Sequence, residues 1–161
     1  MKQKSTIFLQ GVIVLIGIVA LSIMIYFPTT EGRAEHLDLL SIYTDPFIMY
    51  AYLASIPFFV ALYKAFRLLG YIGDNKIFSP SALMVLRSIQ YCAIVQCILI
   101  VIAGIYSRIF HDKEDDPAGF MALCMIGSFI AITVAIVAAV FGKIVQQGIY
   151  LMEENEQLKS R

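Results

Sequence analysis

The sequence predicts an all-α membrane protein: a transmembrane bundle of four helices with N and C termini cytoplasmic, a helical cytoplasmic hairpin turn and an amphipathic C-terminal tail. Three observations carry this expectation. The apolar residues, 60% of the chain against 15% charged, gather in four long blocks. Each block is long enough to cross about 30 Å of hydrocarbon as a helix. Lys and Arg then divide unequally between the connecting segments, which gives the orientation. The spans are expected at about 7–27, 46–69, 80–110 and 117–142 of a single domain, 1–161, with the tail at 143–161.

The first span, Ile7–Phe27, follows Lys2 and Lys4. It is longer than the apolar stretch of a secretory signal, and no small-x-small cleavage site follows it, so an uncleaved helix is expected. Pro28 is expected to stop it. The second span opens on Asp45-Pro46, an N-cap residue followed by a residue favoured at the first helical position. Pro57 lies within it, removing one donor and crowding the carbonyl of Leu53, so a kink is expected. Ser55 or a neighbouring helix could bond the freed carbonyl.

Past the membrane the second helix is expected to run on through KAFRLLGYI, with Gly70 and Gly73 as candidate stops. Asp74-Asn75 is turn chemistry. Ser79 then caps and Pro80 starts the third helix, with Phe78 positioned to staple onto Leu83. The third span fills the window between Arg87 and Arg108. The fourth starts at Asp116-Pro117 with the same cap-then-Pro device and ends near Phe141, where Lys143 marks the interface. In the tail, Ile144, Val145, Ile149 and Met152 fall near one helical face. The five prolines thus serve as three helix starts, one stop and one kink.

With the N-terminus inside, Lys2, Lys4, Lys64, Arg67, Lys76, Arg87, Lys143, Lys159 and Arg161 are cytoplasmic, and only Arg33, Arg108 and Lys113 are outside. Cytoplasmic enrichment in Lys and Arg is the rule for short loops. The two outer loops are acidic and carry the two histidines: His36 between Glu35 and Asp38, His111 beside Asp112 and Glu114. Solvated loop histidines are the plain reading. A cation site between the loops, with His36 and His111 as weak candidate metal ligands, and a pH sensor are the sharper ones.

Helices in lipid associate through close packing and polar contacts, since lipid tails are as apolar as leucine. The fourth span supplies a small-residue stripe, Gly127, Ala131, Ala135 and Ala139, with a shorter ridge at Ala138 and Gly142. Packing within one chain explains it; a homo-oligomer seam is the alternative. Gln96, near the middle of the third span, must find a partner, and such bonds contribute about 0.6–2 kcal/mol. No Asp, Glu, His, Lys or Arg falls in the core of any span, which argues against a pump or ion carrier acting alone. Cys92, Cys97 and Cys124 lie inside apolar blocks without metal-ligand spacing and behave as small hydrophobes. No phosphate-cradling loop, metal motif or catalytic set is present, so neither an enzyme nor a cofactor is expected.

The stretch IPFFVALYKAFRLLGYIGDNKIFS followed by ALMVLRSIQYCAI resembles the core of a bacterial membrane family known as domain of unknown function 2975. The segment AIVAAVFGKIVQQGIYLMEENEQL is similar to that family's last span and tail. The most specific part is the hairpin from Lys64 to Tyr91. The resemblance implies four spans in the bacterial cytoplasmic membrane. It also implies a small helix-turn-helix regulator as partner, since family members are often encoded beside one. The family tail usually ends Glu-Asn-Asp-Leu-Thr, whereas Glu154-Asn155-Glu156-Gln157-Leu158 stands here.

The expected function is that of a membrane-anchored interaction or regulatory partner of such a regulator, without direct nucleic acid binding. Lys64, Arg67, Asp74, Asn75, Lys76 and Phe78 in the turn, with Glu153, Glu154 and Asn155 in the tail, are the expected partner-binding residues. The competing reading of the cations is that they grip anionic headgroups, at about 1 kcal/mol each. Two alternatives differ in class. One is an accessory subunit of a transporter or a membrane immunity or stress protein, working through Gln96, Pro57 and the small-residue stripe. The other is an envelope sensor reading cations or pH through its acidic outer loops.

Overall fold

The computed structural model describes residues 2–30, 46–109 and 118–159, and all of it is helical apart from one turn. The helices are α1 (Lys2–Thr30), α2 (Pro46–Gly73), α3 (Pro80–Ile109) and α4 (Ala118–Lys159). All four are long and apolar enough to cross a membrane. The outer loops, with Asp45, Asp116, His36 and His111, lie outside the described residues.

Two boundaries differ from expectation. Pro28 does not stop the first helix, which continues to Thr30. A proline at 28 leaves the carbonyl of Met24 without its N–H partner. That carbonyl instead accepts from the hydroxyl of Tyr52, at 3.2 Å from the neighbouring helix. The tail, in turn, is not a separate element. The helix α4 runs unbroken for 42 residues, about 63 Å at the usual rise, twice the hydrocarbon thickness. At Lys143, where the span was expected to end, the backbone does not change.

Helix α2 passes through Pro57 as one continuous helix. Ser55 donates to the carbonyl of Tyr52 at 2.7 Å rather than to that of Leu53. Tyr50 and Tyr52 point to opposite sides of α2. Tyr52 bonds to α1, while Tyr50 donates to the carbonyl of Leu99 in α3 at 2.7 Å. In lipid, where apolar burial does not hold helices together, such bonds tie α2 to both flanking helices.

Each helix packs on its neighbours in sequence, most extensively α3 on α4, then α2 on α3, then α1 on α2. Among the described residues, pairs that are not neighbours in sequence make marginal contact at most. From Thr6 to Tyr26 helix α1 is almost entirely apolar and none of its side chains is fully buried, as suits a helix largely surrounded by lipid. It touches α2 where Gly17 admits the tip of Leu62 and where Thr6 lies against Gly73.

The α3–α4 pair is antiparallel with a steady register. Gly104 faces Cys124, Ile100 faces Gly127, and Leu83 faces Gly142. Ala131, Ala135 and Ala138 are buried, and Val85 and Ile89 of α3 pack with Ala138. Ala65, Leu68 and Tyr71 of α2 close this cluster from the other side. The buried ridge of α4 therefore passes from Ala135 through Ala138 to Gly142, leaving Ala139 at its margin. The reason is the 3.6-residue turn: a strict spacing of four drifts around the helix, and a step of three brings it back.

Candidate functional site

The contacts of Thr6 with Gly73 and of Phe78 with Gly148 bring the start of α1, the α2–α3 turn and the tail to one end of the molecule. The turn is built by two caps. Gly70 does not stop α2, which ends at Gly73, the second of the two expected stops; no described glycine has positive φ, and the left-handed residue is Asn75, at φ 55°. The amide of Lys76 donates to the carbonyl of Tyr71 at 2.8 Å, and that of Asn75 to Ile72 at 3.2 Å. This pair of bonds is the Schellman closure, with Asn in the position that glycine more often takes. Asn75 thus has a structural duty that accounts for its place in the turn. Asn75→Gly is expected to leave stability unchanged or slightly raised, and Asn75→Val to lower it by about 1–2 kcal/mol. Unfolding titrations in mixed micelles read both.

On the other side of the turn, Ser79 caps α3. Its Oγ accepts from the amide of Ala82 at 3.2 Å, and its carbonyl from Leu83 at 3.1 Å. Phe78, expected to staple onto Leu83, lies with its ring against Gly148 of α4. A Cβ added at 148 would fall 2.5 Å from Cε1 of that ring and nearer still to Cδ1. The ring occupies the space that any other residue's side chain would take. One turn earlier, Val145 is only 1% exposed, the most deeply buried large side chain among the described residues. Turn and tail base therefore form one continuous surface.

The remaining expected partner-binding residues, and Arg87 beside them, differ in how engaged their side chains are. Asp74 and Lys76 are exposed on the turn and make no side-chain hydrogen bond or ion pair among the described residues. Arg67 is engaged: its Nη2 donates to the Tyr71 hydroxyl at 3.1 Å, with the guanidinium 6.0 Å from that ring's centroid. Lys64 is half-buried and Arg87 exposed along the flanks. Glu153, Glu154 and Asn155 are exposed on α4, one to two turns past Gly148, and the Asn155 amide donates back to the carbonyl of Leu151 at 3.2 Å. Sequence reasoning missed Gly148 and Tyr71. A glycine inside a helix was the available signal, since it loses about 1 kcal/mol against alanine unless something needs the space.

Gln96 does not behave as expected. Its Oε1 is buried without a hydrogen-bond partner, and by the α3–α4 register it stands level with Ala131, which offers nothing to bond. Gln96→Leu is therefore expected to raise stability by about 1 kcal/mol, by removing an unpaired acceptor; thermal unfolding in detergent measures it. At the far end, a cavity of about 550 Å³ lies along α3 and α4, lined by Val101, Gly104, Ile105, Arg108, Cys124 and Met125 among others. Its walls are almost wholly apolar, as for a groove filled by acyl chains. Among the described residues no three His, Cys, Asp or Glu side chains gather to hold a metal.

The hairpin, the tail and the four apolar helices together define what this chain should resemble. The family model described as "Protein of unknown function (DUF2975)" matches residues 28–157. The chain belongs to that family. It is 34% identical over 158 residues to the "Uncharacterized membrane protein YoaS" of Bacillus subtilis (strain 168), covering 97% of this chain and 98% of that one. No solved structure matches it. This DUF2975 member is thus a membrane protein with four transmembrane-like helices and a bacterial relative.

Proposed function

We propose that this DUF2975 protein is a multi-pass scaffold of the cytoplasmic membrane whose turn-and-tail end docks a cytoplasmic protein, a small helix-turn-helix regulator being the partner the family resemblance favours. The observation that carries the reading is the seating of Phe78 on Gly148. It fuses a short turn and a long helix into one preformed surface beyond the apolar part of the molecule. A preformed surface binds without first losing conformational entropy. The Lys and Arg distribution supports a cytoplasmic position for this end. Asp74 and Lys76 are exposed there side by side, and Glu153 and Glu156 continue the polar surface along the tail. Anionic headgroups account for Lys64 and Arg87 near the interface, but they do not call for Asp74 or the glutamates.

The test is co-purification from native membranes of the tagged full chain with the regulator. Asp74→Lys with Lys76→Glu inverts the exposed turn charges and leaves both caps intact. Loss of the regulator, at unchanged melting temperature, supports the reading. Equal capture by the charge-inverted chain and by one lacking residues 150–161 would falsify it.

A further inference from the structure

We propose that the C-terminal part of α4 pairs with the same segment of a second copy as a parallel two-stranded coiled coil, each Phe78 ring filling the layer that Gly148 leaves empty.

The projecting segment needs a partner. From Tyr150 to Lys159 every side chain of α4 is exposed. An isolated helix of that length is marginal in water, yet its apolar residues are not scattered. Ile144, Leu151 and Leu158 recur every seven residues, and Phe141, Gly148 and Asn155 recur every seven between them, three residues earlier. These are the d and a positions of a heptad repeat. Leu151 and Leu158 are 57% and 66% exposed. Val134 and Val137, also exposed, carry the same phase back into the span.

Three details select a second copy, and a parallel one. Asn155 stands at an a position, where a single asparagine specifies a register and a two-stranded state. Glu154 stands at g and Lys159 at the following e, so in a parallel pair each Glu154 meets the partner's Lys159. An antiparallel pair would oppose glutamate to glutamate. Insertion of both copies in one membrane imposes the parallel arrangement and raises their effective concentration, so a short coil suffices. The bilayer surface is the poorer occupant, because Glu153, Glu154 and Glu156 outnumber Lys159 over this segment and face anionic headgroups unfavourably. The a layer at Gly148 would otherwise be a hole; the ring of Phe78 already stands there, 46% exposed and beside the seam.

The pairing is independent of any cytoplasmic partner and is tested on this chain alone. In a full-length background with Cys92, Cys97 and Cys124 replaced by alanine, single substitutions Leu151→Cys, Leu158→Cys and Glu153→Cys are oxidised in membranes. The first two sit in the seam and the third at the outermost f position. Covalent dimer is expected from the two seam sites at about ten times the yield of the outer one, because disulfide geometry demands close Cβ atoms. No dimer at either seam site, or equal yield at all three, overturns the proposal. In the Leu158→Cys background, Glu154→Lys is expected to reduce crosslinking and Glu154→Lys with Lys159→Glu to restore it; no restoration overturns the parallel register. The unsubstituted chain in liposomes is expected to bleach in two steps when labelled once per copy, and the Leu151→Glu chain in one. One-step bleaching of both overturns pairing.

Discussion

Gly148→Ala is expected to destabilise the protein, although the same change in most helices stabilises it. In a helix interior alanine is favoured over glycine by about 1 kcal/mol. Here the added methyl would fall inside the ring of Phe78. The ring has little freedom to withdraw, because the Schellman closure at Asn75 and the Ser79 cap hold the short turn from both sides. Forcing extra volume into a packed contact costs about 1–3 kcal/mol, so the steric term outweighs propensity, and Gly148→Leu should cost more than Gly148→Ala. In a Phe78→Ala background the sign should reverse, with Gly148→Ala stabilising by about 1 kcal/mol. The four chains form a double-mutant cycle read by unfolding in mixed micelles. If Gly148→Ala is equally harmful with and without Phe78, the ring is not what occupies the space.

The second large effect is expected at Ala135. It is 8% exposed, on the face of α4 that meets α3, and leucine there would push apart the two helices that share the most extensive interface. A loss of about 1–3 kcal/mol follows, with no compensating gain, since lipid already solvates a leucine as well as protein does. Ala139→Leu, four residues on, should be milder because Ala139 stands at the margin of the buried ridge. Comparable losses at both positions would mean that the ridge follows the spacing of four along Gly127, Ala131, Ala135 and Ala139 after all.

The contrast between these residues explains what was legible in the sequence. Helix starts were readable because their signals are local: Ser79 and Pro80 are neighbours, and the bond that Ser79 accepts from Ala82 spans three residues. The four spans were readable because lipid demands a length and a composition. The seat of Phe78 was not, since it joins residues 70 positions apart and depends on the register of two long helices. Tyr52 and Met24 illustrate the same gap. Pro28 announces a freed carbonyl, but only the packing of α1 on α2 says what bonds to it. Asn75 was recognised as a turn residue and Gly73 as a candidate helix end, but that the left-handed closing residue would be Asn75 and not a glycine was not legible. In the candidate site, Asp74 and Lys76, expected as partner-binding residues, stand exposed, whereas Phe78 and Asn75 combine a structural duty with their exposure.

The continuity of α4 has a mechanical consequence. With Lys143 at the interface, as the Lys and Arg pattern implies, a helix with no break along its length would act as a lever pivoting there. Transmembrane helices change tilt as bilayer thickness changes. A tilt of about 10° would sweep the tip of a projecting arm of about 25 Å through about 4 Å. Because the Phe78 ring rests on that arm close to its base, the turn would be dragged with it. Stretching or thinning the membrane would in this way be geared into a displacement at the polar end, with no ligand needed to start it.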